Sequence, residues 1–268
     1  MYKLIAIDMD GTLLNEDKKI SEATKVAIKE AREKGVKVVL ASGRPLGGLN
    51  RYLEELEMFT DDDFVICYNG CQVQKTKSKE IISNITLKGR DLKDIYVLSK
   101  NLGVNIHAFS KDGCISPLIS KYTELEGELN NISITECDFN SISDDEDIIK
   151  AMIVDEPEKL DAAITKIPKE LTDKYTVAKS APFFYEFLNL DANKGVAVEK
   201  LCKYLSIKQE EVITIGDADN DLHMIEFAGL GVAMENAFDT VKKVANYITK
   251  SNEQDGVAHV INKFVLNK

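Results

Sequence analysis

Leu4-Ile5-Ala6-Ile7-Asp8-Met9-Asp10-Gly11-Thr12 is a short apolar run that stops abruptly at two aspartates and a glycine. An uninterrupted run of this kind predicts a strand buried on both faces, as in a parallel sheet. Downstream, Ser21 is placed to cap a helix running to about Lys34, and Gly35 follows as its stop. Val36-Lys37-Val38-Val39-Leu40 then predicts a second strand leading into Ala41-Ser42-Gly43-Arg44. Phe64-Val65-Ile66-Cys67-Tyr68 predicts a third, ending at the turn signal Asn69-Gly70. Strands alternating with helices imply right-handed crossovers and a parallel α/β sheet.

The same grammar returns late in the chain. A helix is predicted over 194–204, a strand over 212–215 that stops at Gly216-Asp217, a helix over 222–227, a strand over 231–234 and a closing helix over 256–264. The middle differs, with helix patterns over 91–102 and 158–167 and strand-like pieces at 132–134, 151–154 and 183–187. An α+β pattern set between two α/β stretches predicts an inserted domain, here 83–188 within a core made of 1–82 and 189–268.

Clusters of acidic or phosphate-friendly residues follow three predicted strands: Asp8-Met9-Asp10-Gly11-Thr12, Ser42-Gly43-Arg44, and Gly216-Asp217-Ala218-Asp219-Asn220-Asp221. Lys194-Gly195 opens a helix. Ligands of open α/β sheets bind outside the carboxyl ends of the strands, so these clusters would converge if their strands are neighbours. Asp8 and Asp10 flank one residue at the mouth of a buried strand, with Asp217 and Asp221 at another, and carboxylates so placed call for a cation. Magnesium takes one or two carboxylates together with substrate phosphate. Lys194 supplies a point charge for phosphate oxygens, Ser42 a hydroxyl, and Gly43 a closely approachable backbone N–H. Simpler roles stay open at single positions. Asp221 and Asp219 also suit a helix start, Lys194 an exposed first turn, and Arg44 either pairs with an acid or touches substrate.

Composition narrows the classes. A net charge of −11 opposes binding to nucleic acid or anionic membrane, and 44% hydrophobic residues suit a globular chain. The five cysteines include no Cys-x-x-Cys pair, which argues against a disulfide framework or zinc site and for a reducing cytoplasm. The apolar run at Met1–Asp8 is too short for a signal peptide, and no segment approaches a membrane span. His107, His223 and His259 fall at no key position of the clusters, and Cys67 and Cys71 read as buried hydrophobes.

Taken together, these residues resemble the haloacid dehalogenase superfamily, specifically its Cof-type phosphatases. The family's four motifs match Asp8-Met9-Asp10-Gly11-Thr12-Leu13-Leu14, Ala41-Ser42-Gly43-Arg44, Lys194-Gly195 and Gly216-Asp217-Ala218-Asp219-Asn220-Asp221. Similarity continues through Gly231-Val232-Ala233-Met234-Glu235-Asn236-Ala237 and Ser251-Asn252-Glu253-Gln254-Asp255-Gly256-Val257-Ala258. The middle matches only in position and size, as the family's class-two cap. The resemblance implies a Rossmann-like core and a Mg²⁺-dependent phosphatase acting on small phosphate esters such as sugar phosphates. Asp8 is then the nucleophile and Asp10 the general acid and base. Met9, Ser42, Gly43, Lys194 and Asn220 bind the phosphoryl group, with Arg44 toward the substrate. Mg²⁺ is held by the Asp8 side chain, the Asp10 backbone carbonyl and Asp217, with Asp221 supporting its water shell. The cap closes over the site and selects the substrate. A cytoplasmic monomer or homodimer is expected. A phosphomutase using the same aspartyl-phosphate, or a catalytically silent binding protein, is the alternative.

Overall fold

The structure is a computed structural model and describes residues 1–268. Two compact units divide the chain: Met1–Ser83 with Asn193–Lys268, and Asn84–Ala192. Residue 83 therefore goes with the first unit and 189–192 with the second, because Asn189 still pairs with Tyr175 inside the second unit's sheet.

The first unit is built on an eight-stranded sheet. Its order is Tyr247–Ile248, Leu230–Ala233, Val212–Gly216, Leu4–Asp8, Lys37–Ala41, Phe64–Cys67, Gln72–Lys75 and Ile81–Asn84. The pairings from Tyr247–Ile248 to Phe64–Cys67 are parallel, and Gln72–Lys75 turns back antiparallel. Every residue of Leu4–Asp8 and Val212–Gly216 is buried, as continuous apolar runs in a two-sided sheet require. Ser21 caps the helix Glu22–Glu33 by accepting from the Thr24 N–H, and Gly35 follows with a φ of +83°.

The second unit has a seven-stranded sheet. Its main path runs Tyr175–Ala181, Phe184–Asn189, Asp147–Val154, Asn105–Ser110, Gly113–Ser116 and Ile134–Glu136. The pairings along this path are antiparallel except the last, which is parallel. The helices Gly89–Leu102 and Pro157–Ile164 share a core with the sheet, through Leu92, Ile95, Leu160 and Ala163 against Ile106, Ala151, Ile153 and Phe187. His107 lies inside this unit between Phe109 and Phe184, and burial and nearby Lys150 push its imidazole down to about 3, so it is neutral at ordinary pH.

One strand expectation is corrected. Residues 132–134 do not form the predicted strand, which instead spans Ile134–Glu136. Ile132 closes the end of the helix Lys121–Asn130 by donating to the Gly127 carbonyl, with Asn131 left-handed as the cap. No helix is long and apolar enough to cross a membrane.

Candidate active site

Strand adjacency assembles the site. Leu4–Asp8 lies between Val212–Gly216 and Lys37–Ala41, and Asp8 is in register with Ala41. The chain segments that leave these strands at Met9, Ser42 and Asp217 thus emerge side by side at the carboxyl edge of the sheet. Lys194 begins the helix Lys194–Leu205, whose start is capped by the Asn193 side chain accepting from the Val196 N–H.

Lys194 is completely buried, and its Nζ donates to Asp8 Oδ1 and to Asp221 Oδ1, the latter at 2.7 Å. The other oxygen of Asp221 accepts from the backbone N–H groups of Asp217 at 2.9 Å and Ala218 at 3.1 Å. Asp221 therefore organises the loop and the lysine together, rather than acting only as a helix-start acid. Asp217 Oδ1 accepts from Thr12 Oγ1 at 2.7 Å, a contact between residues 205 positions apart. Gly11, with a φ of +86°, admits this arrangement, since a Cβ there would sit 2.4 Å from Asp217 Oδ2.

Asp8, Asp217 and Asp221 are the group able to share an ion, each offering one carboxylate oxygen within 4.8 Å of the others. Burial raises the Asp8 carboxyl well above its ordinary value and Asp221 adds to the rise, while Lys194 works against it. Asp217 is also raised by burial, with the Thr12 hydrogen bond opposing and Asp221 reinforcing the rise. With all three carboxylates ionised, they and the one ammonium would sum to a local charge of −2. The all-oxygen donor set and that charge fit a hard divalent cation such as Mg²⁺.

Asp10 lies apart from this group. Its carboxylate accepts from Arg44 Nε at 3.0 Å and Nη2 at 2.8 Å, and from Lys18 Nζ at 2.9 Å. Burial alone would raise its pKa, but the bonds from Arg44 and Lys18 prevail and hold it below the usual carboxylate range. Of the two roles open to Arg44 in sequence, this structure shows the acid pairing.

The other expected phosphate ligands flank the carboxylates. Ser42 is buried, and its Oγ accepts from the Arg44 N–H at 3.2 Å. The Met9 side chain is buried in the core, and its backbone carbonyl accepts from the Leu14 N–H at 2.9 Å. Asn220 donates through Nδ2 to Asn69 Oδ1 at 3.0 Å. Asp219 faces away from this set, accepting from Thr240 Oγ1.

Sequence reasoning gave no role to Thr12, Lys18, Asn69 or Asn236. Asn236 donates to the Gly11 carbonyl at 2.8 Å and so braces the first loop from the far end of the chain. Thr12 lay within the first motif, and Asn69 at a strand end, so position alone was the available signal. The segment Tyr68–Gly70 has three successive positive φ values, 52°, 56° and 97°. A Cβ on Gly70 would stand 2.2 Å from the Asn193 carbonyl oxygen, which is backbone and cannot swing aside. Gly70→Ala is therefore expected to destabilise the protein by about 2–4 kcal/mol, read as a lower midpoint in urea unfolding at unchanged slope. An unchanged midpoint would show that this close approach relaxes freely.

Comparison with known proteins agrees with this arrangement. The sequence profile of the haloacid dehalogenase-like hydrolases matches residues 5–261. Over 270 residues the chain is 46% identical to the protein named "Putative phosphatase YxeH" of Bacillus subtilis (strain 168), covering 100% of both chains. It is 31% identical to the 5-amino-6-(5-phospho-D-ribitylamino)uracil phosphatase YitU of the same organism, covering 97% of each. The crystal structure of a haloacid dehalogenase-like hydrolase from Bacteroides thetaiotaomicron superposes with a TM-score of 0.85 at 35% identity, over 98% of this chain and 99% of that one. A chain matched from end to end by relatives with this name, and carrying the buried aspartates at adjoining strand ends, belongs to the haloacid dehalogenase-like hydrolases as a Cof-type phosphatase.

Proposed function

We propose that the protein hydrolyses phosphate monoesters of small metabolites, sugar phosphates or similar, through an aspartyl-phosphate on Asp8 and with Mg²⁺. The observation that carries this is the meeting of Asp8, Asp217 and Asp221 around the buried Lys194 at the carboxyl edge of the parallel sheet. The phosphorylated ribityl group in the name of one relative supports a phosphorylated sugar or sugar alcohol as the substrate class.

In this mechanism an Asp8 carboxylate oxygen attacks phosphorus, the ester P–O bond breaks, and the leaving oxygen takes a proton from Asp10, whose carboxyl carries that proton only once Arg44 and Lys18 have turned away from it. Asp10 then takes a proton from water as that water attacks the same phosphorus. Inorganic phosphate leaves and the Asp8 carboxylate is restored. Lys194, the Ser42 hydroxyl, the Met9 and Gly43 backbone and Asn220 hold phosphoryl oxygens, and Arg44 reaches the substrate on leaving its pairing with Asp10. Most of the rate enhancement then comes from positioning and charge neutralisation. Asp8, Asp217 and the Asp10 carbonyl would hold Mg²⁺, with Asp221 steadying its water shell, and the ion supplies positive charge to the phosphoryl oxygens when bound.

The test is a panel of phosphorylated metabolites assayed for released phosphate with Mg²⁺ and then with excess chelator. Turnover on sugar or sugar-alcohol phosphates, stopped by chelator and restored by Mg²⁺, is expected. Undiminished rates in chelator would remove the ion from the mechanism, and an isomerised sugar phosphate in place of inorganic phosphate would make the protein a mutase.

A further inference from the structure

The turn Tyr68–Gly70 touches most parts of the phosphoryl site at once. Tyr68 donates its backbone N–H to the Arg44 carbonyl at 3.1 Å, and Asn69 donates its own to the Ser42 carbonyl at 2.9 Å. The Asn69 side chain lies against Gly43, where a Cβ would be 3.1 Å from both Nδ2 and Oδ1. The same Oδ1 accepts from Asn220 Nδ2 at 3.0 Å. Gly70 rests on the backbone at Asn193 and Lys194. One half-buried residue thus joins the loop after the second strand to the loop that carries Asp217 and Asp221.

The residue type follows from these contacts. Asn69 sits in the left-handed region, with φ 56° and ψ 29°, which asparagine tolerates better than most side chains. Glycine would adopt that backbone but leave Asn220 without its acceptor. Aspartate would keep an acceptor but add another negative charge beside a site meant for phosphate.

We propose that Asn69 is a positioning residue of the phosphoryl site: its side-chain amide fixes Asn220 and shields Gly43, so that both are aimed before substrate arrives. This rests on the phosphatase function proposed above. Because neither partner then has to be ordered by the ligand, the role should appear in ground-state phosphate binding as well as in turnover.

The experiment uses the full chain loaded with Mg²⁺ and inorganic phosphate as the probe, in the variants Asn69→Gly, Asn220→Ala and the pair combined. Calorimetry gives Kd for phosphate, and thermal unfolding checks the fold. Asn69→Gly is expected to weaken phosphate binding about tenfold, and the combined variant to lose less than the product of the two single penalties, since only the part exerted through Gly43 survives in Asn220→Ala. A merely structural role would lower thermal stability and leave Kd unchanged. Unchanged Kd in Asn69→Gly, or penalties that multiply in the combined variant, would overturn the proposal. Asn69→Ser, which also lacks the reach to Asn220, replaces the glycine variant if that one does not fold, with the same expected Kd. Phosphate that does not bind the wild-type protein would overturn both this role and the phosphatase function beneath it. Normal wild-type binding with an unaffected Asn69→Gly would overturn the positioning role alone.

Discussion

Asp8→Asn is expected to lower turnover by on the order of 10⁵-fold while the protein still folds, because an amide cannot make the phosphoryl-enzyme bond. Stability should move the other way. Burial and the Asp221 charge raise the Asp8 carboxyl in the folded state, so the ionised form is disfavoured there relative to the unfolded chain. A group raised in this way leaves full stability below the unfolded aspartate value, about 3.9, and removes it as pH rises through the folded value. Chelator-treated Asp8→Asn should therefore unfold at or above the wild-type temperature at pH 7, and the gap should close as pH falls toward about 4. Added Mg²⁺ should stabilise wild type more than the variant. Wild-type turnover in Asp8→Asn would end the nucleophile assignment, and a chelator-treated variant less stable than wild type would show that Lys194 depends on Asp8 more than on Asp221.

Lys194→Met should produce the other large effect. Its ammonium is the buried cation between Asp8 and Asp221, with the side chain fully enclosed. Burial by itself would lower the lysine pKa, but Asp221 and Asp8 prevail and raise it. The sign is that of a raised base: the contribution is fully present below the unfolded value of about 10.4 and is lost only as pH rises through the folded one. At neutral pH the truncation leaves adjoining buried carboxylates with no counter-charge, a loss of about 3–5 kcal/mol. Thermal unfolding in chelator would show it as a large drop in Tm, partly recovered by Mg²⁺. Phosphatase activity should fall by on the order of 10³-fold at saturating Mg²⁺, as when a transition-state charge contact is removed. A Tm in chelator equal to wild type would mean that the carboxylates are not ionised together. Arginine is not a safe replacement, since its planar fork needs space that the enclosed ammonium does not have.

The contrast between these residues and the others shows what sequence alone can carry. Asp8, Ser42 and Asp217 were legible because strands buried on both faces appear as unbroken apolar runs, and the polar residue that ends such a run marks the sheet's carboxyl edge. The helix Leu46–Glu55 was not seen, for it follows Pro45 and carries Gly47 and Gly48 in its first turn, which resemble a loop. The helix Lys121–Asn130 was hidden in another way. Beside Tyr122 it buries Thr123, Glu126, Gly127 and Asn130, so a single aromatic and no apolar stripe marks its inner face. In the second unit the strand Asn105–Ser110 and the start of Asp147–Val154 were missed, where buried His107 and Lys150 interrupt the apolar pattern. Asn69 escaped because its partners, Ser42, Gly43 and Asn220, become neighbours only once strand order is known. The pairing of Arg44 with Asp10 was one of two open choices that only side-chain geometry could decide.

The central strand Leu4–Asp8 precedes the other strands of its sheet in the chain, yet one of its two neighbours, Val212–Gly216, comes only after the whole segment Asn84–Ala192. Through synthesis of everything between, one edge of that strand has no native partner. The segment Asn84–Ala192, by contrast, emerges as a continuous piece with its own apolar interior. Completion of the host sheet thus waits on the insertion between its strands, and until Val212–Gly216 arrives the nascent host carries an open β edge exposed to mispairing.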